Sequence, residues 1–166
     1  MDRTIDNRSS STTMLQLIST NDSAALHISQ GEGPLSDSKV LIAIATYNEI
    51  HNLPALIPSI RQFAPQADIL VVDDNSPDGT GEWCEEQARL DDSIRFVRRP
   101  GKLGLVSATI VAMRAAIDSG YDYVITMDAD FSHDPVYISR FLECVDRSVD
   151  EVDVVLGSRY IDGGGI

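Results

Sequence analysis

The sequence predicts a three-layer α/β fold built on a mostly parallel sheet. Three observations carry this prediction. Short apolar runs alternate with segments of helical periodicity between residues 39 and 156, the runs are apolar on both faces, and carboxylates follow two of them. Parallel strands require crossover connections, which are usually helices, so this alternation is expected of them. The 166 residues, 43% of them hydrophobic, suffice for one domain with a single core.

Strands are predicted at five apolar runs that end at polar residues or glycine. Their lengths and their β-branched residues are typical of strands that are buried on both faces. The five runs are residues 40–45, 68–72, 94–97, 121–127 and 152–156.

Four helices are predicted between and after these strands. In the first, Leu53, Leu56, Ile57 and Ile60 recur at the spacing of an amphipathic helix. The last begins near Pro135, where the missing N–H of a proline costs nothing. The four helices cover residues 52–63, 81–90, 105–117 and 134–145.

Residues 1–38 are predicted to be a disordered N-terminal tail, and residues 39–166 to form the folded domain. The tail is rich in Ser and Thr and holds one short apolar patch, residues 14–18. At the other end, Gly163 to Gly165 form a flexible segment rather than the usual end of a domain. We therefore expect the domain to be truncated at its C-terminus.

Composition and charge argue against several classes of function. A net charge of −13 argues against nucleic-acid binding, which needs a basic surface, and against simple adhesion to anionic membranes. Cys84 and Cys144 form no CxxC pattern, so we expect both to pack as small apolar residues in a reducing compartment. No run approaches the roughly eighteen apolar residues of a membrane span. The sequence thus predicts a soluble, cytoplasmic protein.

Asp128 and Asp130, separated by Ala129, follow directly after the apolar run at residues 121–127. In open α/β sheets ligands collect at the carboxyl ends of the strands. Carboxylates placed there attract a hard cation such as Mg²⁺ or Mn²⁺, which in turn can neutralise a diphosphate. The alternative is a solvated loop or a cap for the following helix. The strand before the pair favours a metal-assisted site for a nucleotide-linked substrate.

Polar residues also follow the first and second predicted strands. Tyr47 could stack on a base, and Glu49 could accept hydrogen bonds from a ribose or base. Alternatively, Glu49 begins the next helix, where an acidic residue suits the dipole. Asp73 and Asp74 follow the second strand, and the turn chemistry of residues 76–79 explains neither carboxylate.

Basic residues follow the third and fifth strands of an otherwise acidic chain. Lys102, in a loop with two glycines, is placed to contact phosphate, whereas Arg98 and Arg99 are better explained as surface charge on a loop. Arg159 could bind phosphate oxygens bidentately or form a structural ion pair. His133 could act as a base or a ligand, although a lone loop histidine is usually neither.

Five segments together resemble the dolichol-phosphate mannosyltransferases (polyprenol monophosphomannose synthases) of the inverting glycosyltransferase family 2. The most specific are Asp-Asp-Asn-Ser-Pro-Asp-Gly-Thr at residues 73–80 and Asp-Ala-Asp-Phe-Ser-His-Asp-Pro at residues 128–135. The resemblance covers roughly residues 39–165 and implies the GT-A fold, a Rossmann-like α/β architecture. The five segments are residues 40–49, 72–80, 102–105, 127–135 and 157–160.

The resemblance implies a nucleotide-sugar site at the carboxyl edge of the sheet. Asp128 and Asp130 would hold the metal and, together with Arg159, carry the catalysis. The residues implied to bind the nucleotide sugar are Ala45, Tyr47, Glu49, Val72, Asp74, Lys102, Asp128, Ala129, Asp130 and Arg159.

Three places depart from the pattern of the family. Ala45 stands where a proline usually precedes Thr-Tyr-Asn-Glu, which loosens that contact. Val106 and Ser107 replace the usual Gly-Thr and add bulk near the cleft. Ser132 stands where some members carry a metal-binding glutamine, which weakens the expected metal site.

The function implied by the resemblance is transfer of mannose from GDP-mannose to a polyprenyl (dolichyl) phosphate, with inversion and with help from Mg²⁺ or Mn²⁺. Such an acceptor places the protein at the cytoplasmic face of a membrane, reached through an anchoring partner or a segment missing from this chain. One alternative is a family 2 transferase that uses UDP-glucose or another donor or acceptor. The other is a truncated domain that binds a donor without productive transfer.

Overall fold

The computed structural model describes residues 13–16, 38–147 and 153–158, which form one six-stranded sheet with helices on both faces. Across the sheet the strands run β4-β3-β2-β5-β1-β6, and every pairing is parallel. The parallel sheet predicted from the alternation of patterns is therefore confirmed. The strands are β1 (Thr13–Gln16), β2 (Val40–Thr46), β3 (Asp68–Asp73), β4 (Ile94–Arg98), β5 (Tyr123–Asp128) and β6 (Val154–Leu156).

The four predicted helices are present, with ends within a few residues of the expected positions. A short 3₁₀ turn at Pro135–Tyr137 precedes the last of them. It is capped by Asp134, whose carboxylate accepts a hydrogen bond of 3.0 Å from the backbone N–H of Val136. The helices are α1 (Leu53–Phe63), α2 (Thr80–Leu90), α3 (Leu105–Asp118) and α4 (Ile138–Arg147).

Strand β2 lies inside the sheet and divides its side chains between two cores. Ile42 and Ile44 pack on the face covered by α1, α2 and α4, whereas Leu41 and Ala43 pack on the face covered by α3. Successive side chains of a strand point to opposite faces, so a strand covered on both sides must be apolar throughout. The three layers predicted from these continuous apolar runs are confirmed.

Helix α3 contacts the sheet through a row of small residues. Ala108, Ala112 and Ala116 are buried at four-residue spacing and let the helix backbone approach the sheet closely. Because α3 follows β4 after a short loop, its first turn lies at the carboxyl edge of the sheet. That placement brings Leu105 to the edge where the polar motifs of the sequence are found.

The strand β1 lies within the segment that was expected to be a disordered tail, so that expectation is wrong for these four residues. Leu15 pairs with Ile125 of β5 and with Val155 of β6. The apolar patch at residues 14–18 was visible in the sequence, but its partners lie far along the chain, where a local pattern cannot reveal them. Residues 1–12 and 17–37 lie outside the described residues.

The two cysteines differ in their surroundings. Cys84, on the face of α2 that packs on the core, is buried as expected, and this burial raises the pKa of its thiol to about 12. Cys144 on α4 is exposed, so the expectation that it packs as a small apolar residue is wrong. Among the helices that the structure describes, none is both long and apolar enough to cross a membrane.

Candidate active site

The carboxyl ends of β2, β3 and β5 lie side by side. In the register of the sheet, Thr46 is paired with Asp73, and Ala45 is paired with Asp128. Parallel strands meet at the same edge of a sheet, so three motifs that are distant in the sequence come together. This edge is the candidate site.

Two neighbouring cavities lie at this edge beside the first turn of α3. Their volumes are about 130 Å³ and about 40 Å³, and Ala45, Leu105 and Ala108 line both. The larger cavity is otherwise lined by β2, β3 and the loop before α3, and the smaller one reaches the end of β5. Six of the predicted site residues line one or both cavities: Ala45, Tyr47, Val72, Asp74, Lys102 and Asp128.

Asp73, at the end of β3, is fully buried and bonded entirely within the protein. Its carboxylate accepts a hydrogen bond of 2.9 Å from the Thr46 hydroxyl and another of 2.9 Å from the backbone N–H of Ser76. The Ser76 hydroxyl donates a third. A buried carboxylate with three donors ties the end of β3 to the end of β2 and to the following turn.

Asp74 is also buried, and its carboxylate is bonded to the loop before α3. Its Oδ2 accepts hydrogen bonds from the backbone N–H groups of Leu103 (3.0 Å) and Gly104 (2.8 Å). Its Oδ1 contacts Nη2 of Arg99 in an ion pair that leaves the two side chains only 5% (Arg99) and 7% (Asp74) exposed. The contact is one of charge, because Oδ1 makes no hydrogen bond of normal geometry with any described residue.

The burial of Arg99 contradicts the interpretation of this residue as surface charge. Its guanidinium donates to the carbonyl oxygen of Gly104 (2.9 Å) and to the hydroxyl of Ser107. Arg98 does match that interpretation, since its side chain is 31% exposed and pairs with Glu82 and Glu85 of α2. Adjacent residues at the end of a strand point in opposite directions, which a count of charges could not reveal.

Lys102 and Tyr47 meet across the larger cavity. The Lys102 ammonium lies 3.9 Å from the centre of the Tyr47 ring, a distance typical of a cation–π contact. Both side chains are exposed enough to meet a ligand, and Tyr47 is 36% exposed. An aromatic face and a mobile cation therefore lie side by side at the carboxyl edge.

Glu49 is placed as the helix-opening interpretation expects. Its backbone carbonyl accepts from the N–H groups of Asn52 and Leu53, and its carboxylate accepts from the Asn52 side chain (2.7 Å). It lines neither cavity. A role in nucleotide binding stays a prediction for this residue, whose contacts in the structure are those of a helix start.

At the end of β5, Asp128 is held through its backbone by His133. The N–H of Asp128 donates a hydrogen bond of 2.9 Å to Nδ1 of His133, so that nitrogen carries no proton. The other ring nitrogen, Nε2, lies 3.7 Å from Oδ2 of Asp128. The side chain of Asp128 is 43% exposed and lines the smaller cavity. His133 thus ties the turn after β5 back to the backbone at the end of that strand.

Asp130 is exposed on the tight turn that follows. The hydroxyl and then the backbone N–H of Ser132 lower the pKa of its carboxyl below the ordinary 3.8, so the group is ionised at neutral pH. Phe131, between them, adopts a left-handed backbone with φ of 62°, which is rare for an aromatic residue. Such strain is typical of functional turns. Ala129 is buried in the core, so only its backbone can reach a ligand.

The two carboxylates at the end of β5 suit a hard divalent cation. No group of three or more His, Cys, Asp or Glu side chains within the described residues is arranged to hold a metal by itself. Proteins usually hold Mg²⁺ through one or two carboxylates together with waters and substrate phosphates. Asp128 and Asp130 therefore fit a metal that binds together with a diphosphate.

The predicted site residue Arg159 lies outside the described residues, immediately after Ser158. Two of the residues that depart from the family pattern, Ala45 and Val106, lie within them. Val106 is 76% exposed and lines neither cavity, whereas Ala45 lines both. The bulk expected from Val106 therefore points away from both cavities.

Four residues that line the larger cavity were not among the predicted site residues. They are Thr46, Gly104, Leu105 and Ala108, and the last two also line the smaller cavity. Thr46 is the last residue of β2 and directly follows the predicted run at residues 40–45, so its position could have revealed it. The signal for Leu105 and Ala108 was the glycine-containing loop that opens α3.

Comparison with known proteins identifies the family. Residues 41–166 match the model of the family described as glycosyl transferase family 2. The match includes every strand of the sheet except β1 and the first residue of β2. The chain belongs to glycosyl transferase family 2. Within this family 2 chain, the matched region includes both carboxylate pairs and the loop that carries Lys102.

Two curated relatives are similar to this family 2 chain. The undecaprenyl-phosphate mannosyltransferase of Micrococcus luteus is 44% identical over 126 residues, which are 76% of this chain and 50% of that protein. The polyprenol monophosphomannose synthase of Mycolicibacterium smegmatis is 40% identical over 140 residues, which are 82% of this chain and 52% of that protein. The chain thus spans about half the length of the curated relatives it matches.

A solved structure also shows a partial likeness to this family 2 chain. It is the mannosyltransferase PcManGT from Pyrobaculum calidifontis in complex with GDP-Man and Mn²⁺. The TM-score is 0.43 and the identity is 22%, over 52% of this chain and 27% of that one. The family assignment rests on the sequence comparisons.

Proposed function

We propose that this family 2 domain binds GDP-mannose and transfers the mannose, with inversion, to a polyprenyl phosphate. The observation that carries the proposal is the placement of a cavity lined by Tyr47 and Lys102 beside the acidic end of β5. The two relatives, at 44% and 40% identity, are named for mannosyl transfer to undecaprenyl phosphate and for synthesis of polyprenol monophosphomannose. Their names supply the sugar and the acceptor class.

In this proposal the larger cavity receives the nucleoside, and the diphosphate runs from Lys102 towards Asp128 and Asp130. Tyr47 offers a ring face to the base or ribose, and Lys102 offers a positive charge to the phosphates. Arg159, which follows β6, would add a bidentate phosphate contact. Asp128 and Asp130 would hold Mg²⁺ or Mn²⁺, which when bound neutralises charge developing on the leaving diphosphate.

The transfer step needs no strong base from the protein. A phosphate monoester has its second pKa at about 6, so the acceptor is mostly ionised at neutral pH. One of its oxygens attacks the anomeric carbon from the face opposite GDP, the bond from that carbon to the donor phosphate oxygen breaks, and the electron pair leaves with GDP. His133 fits this scheme as a positioning residue, since its Nδ1 is occupied by the N–H of Asp128.

The acceptor is a membrane lipid, so the domain would act at the cytoplasmic face of a membrane as a peripheral protein. Because the net charge is −13, electrostatic attraction to anionic lipid would not bring the domain to the membrane. Docking would depend on a partner subunit, on a further segment of the protein or on the acceptor itself.

A transfer assay tests the proposal. The purified chain is incubated with GDP-mannose labelled in the sugar, a polyprenyl phosphate and Mg²⁺ or Mn²⁺, and the lipid fraction is counted. We expect label in the lipid, competition by GDP rather than UDP, and no transfer from UDP-glucose. Transfer from UDP-glucose would overturn the donor assignment. Donor binding without transfer would reduce the chain to a donor-binding domain.

A further inference from the structure

We propose that Arg99 and Asp74 form a clasp that positions Lys102 for contact with the donor diphosphate. The inference rests on the proposed function and adds two positioning residues to it. It also gives Asp74 a role in holding the loop at residues 99–104.

Both ends of the loop are fixed to β3. At the start, the backbone N–H of Arg99 donates to the carbonyl oxygen of Asp73 at 2.8 Å. At the end, the N–H groups of Leu103 and Gly104 donate to the Asp74 carboxylate at 3.0 and 2.8 Å. The loop therefore leaves β4 and is bonded at both of its ends to the carboxyl end of β3, with Lys102 just before the second attachment.

Arg99 closes this arrangement from inside the loop. Its guanidinium contacts Asp74, the carbonyl oxygen of Gly104 and the hydroxyl of Ser107. The Ser107 hydroxyl in turn lies 2.8 Å and 2.9 Å from the carbonyl oxygens of Leu103 and Gly104, and it donates to one of them. The guanidinium presents five N–H donors in a fixed planar fork, so one arginine reaches partners that lie in different directions.

The clasp matters because a lysine has no directional preference of its own. Lys102 is a point charge on a flexible stem, so its position depends on the backbone that carries it. The loop contains Gly101 and Gly104, and Gly104 adopts a φ of 89°, so the loop has little stiffness without the clasp. The ion pair also neutralises Asp74, whose bare carboxylate would otherwise repel a diphosphate in the cavity it lines.

The test uses Arg99→Lys, which keeps the positive charge beside Asp74 but loses the fork. Arg98→Lys is the matched control, since Arg98 pairs with α2 on the outside of the fold. Hydrogen–deuterium exchange measures the amides of Leu103 and Gly104 without any ligand. Calorimetry then measures the affinity for GDP and for guanosine, which lacks phosphates, and circular dichroism confirms that both variants are folded.

We expect Arg99→Lys to speed hydrogen exchange at these two amides about tenfold. The affinity for GDP should fall about tenfold, whereas the affinity for guanosine should change less than twofold. The double variant with Lys102→Met should bind GDP no more weakly than Lys102→Met alone, because both changes remove the same contact. Arg98→Lys should change none of these quantities.

Unchanged exchange in Arg99→Lys would overturn the clasp. A loss of GDP affinity that adds fully to that of Lys102→Met, or an equal loss for guanosine, would overturn the action through Lys102. If the wild-type chain binds no GDP, the proposed function and the role of Lys102 both fail. The exchange measurement would still decide the clasp, because it requires no ligand.

Discussion

The ends of β3 and β5 each carry two carboxylates, and the two pairs differ in their surroundings in the structure. At β3, Asp73 and Asp74 are buried and bonded to the protein through five donors and one ion pair. At β5, Asp128 and Asp130 remain largely open to solvent and keep oxygens available. One acidic pair is built into the edge of the sheet, and the other remains accessible to solvent.

Carboxylates at a strand end are therefore not by themselves evidence of a metal site. What separates the two pairs is the supply of donors nearby. Thr46 and Ser76 satisfy Asp73, and Arg99 and the loop amides satisfy Asp74. At Asp130, the carboxylate accepts its hydrogen bonds from Ser132 on the same turn. A carboxylate that the protein has satisfied has little left to offer a cation.

The largest expected effect is on the transfer reaction. Asp130→Ala should lower mannosyl transfer on the order of a thousandfold, because several kcal/mol of charge stabilisation at the leaving diphosphate are lost. The free energy of unfolding should change by less than about 0.5 kcal/mol, since the residue is exposed.

Asp134→Ala is the matched control for this change. Asp134 accepts a hydrogen bond from the backbone N–H two residues ahead, as Asp130 does. Activity that survives in Asp134→Ala and is lost in Asp130→Ala would assign the effect to the metal site. Equal activity in the two variants would remove Asp130 from the site.

The next largest effect is on stability at the other strand end. Asp73→Ala should lower the free energy of unfolding by about 3 kcal/mol, because the Thr46 hydroxyl and two donors of Ser76 lose their buried acceptor. Urea unfolding measures the change. Asp68→Ala, at the opposite end of β3, loses only a partly buried bond from Tyr121 and should cost about 1 kcal/mol. Similar losses of unfolding free energy in Asp73→Ala and Asp68→Ala would contradict the structural role assigned to Asp73.

A smaller effect is expected at the loop of residues 99–104, between β4 and α3. Lys102→Met should weaken the affinity for GDP about tenfold, since one charge-assisted phosphate contact is lost. The chain has one other lysine, Lys39, which precedes β2 at the opposite edge of the sheet. Lys39→Met should leave the affinity unchanged in the same titration, and a loss in both variants would point to net charge rather than to a contact.

The smallest effect concerns the ionisation of Asp130. Ser132→Ala removes the side-chain hydrogen bond and should raise the pKa of Asp130 towards 3.8, as read by carboxyl ¹³C chemical shifts against pH. Because the pKa is depressed in the folded protein, the stability that this group contributes is present above pH 3.8. It is lost as the pH falls through the folded value. A pKa that stays depressed in the variant would assign the effect to the backbone.

Most of the fold could be predicted from the sequence because its rules are local. Strands buried on both faces are apolar throughout, and the crossover helices show the hydrophobic spacing of amphipathic helices. The hydrophobic pattern of residues 40–147 therefore predicted their strands and helices. The strand β1 could not be predicted in the same way. Four residues in a polar segment become a strand only through partners such as Ile125 and Val155.

The candidate site was predicted in position but only partly in role. The parallel register brings Ala45, Thr46 and Asp128 to one edge, as strand-end motifs require. The roles of Asp74 and Arg99 could not be read from the sequence, because they depend on which side chain turns inward at the end of a strand. Arg98 and Arg99 are both arginines at the end of β4, yet the side chain of Arg98 is partly exposed and that of Arg99 is buried.

Calorimetric titration of the chain with GDP-mannose, in Mg²⁺ and again in EDTA, tests the central claim most directly. Wild type and Asp130→Asn are compared, with UDP-glucose as the control ligand. The open carboxylates at β5 predict binding that is selective for GDP-mannose and requires the metal. In Asp130→Asn, the affinity measured in Mg²⁺ should be no higher than the affinity measured in EDTA. Binding that is equally tight in EDTA, or a metal requirement that persists in Asp130→Asn, would contradict the assignment of this strand end to the metal.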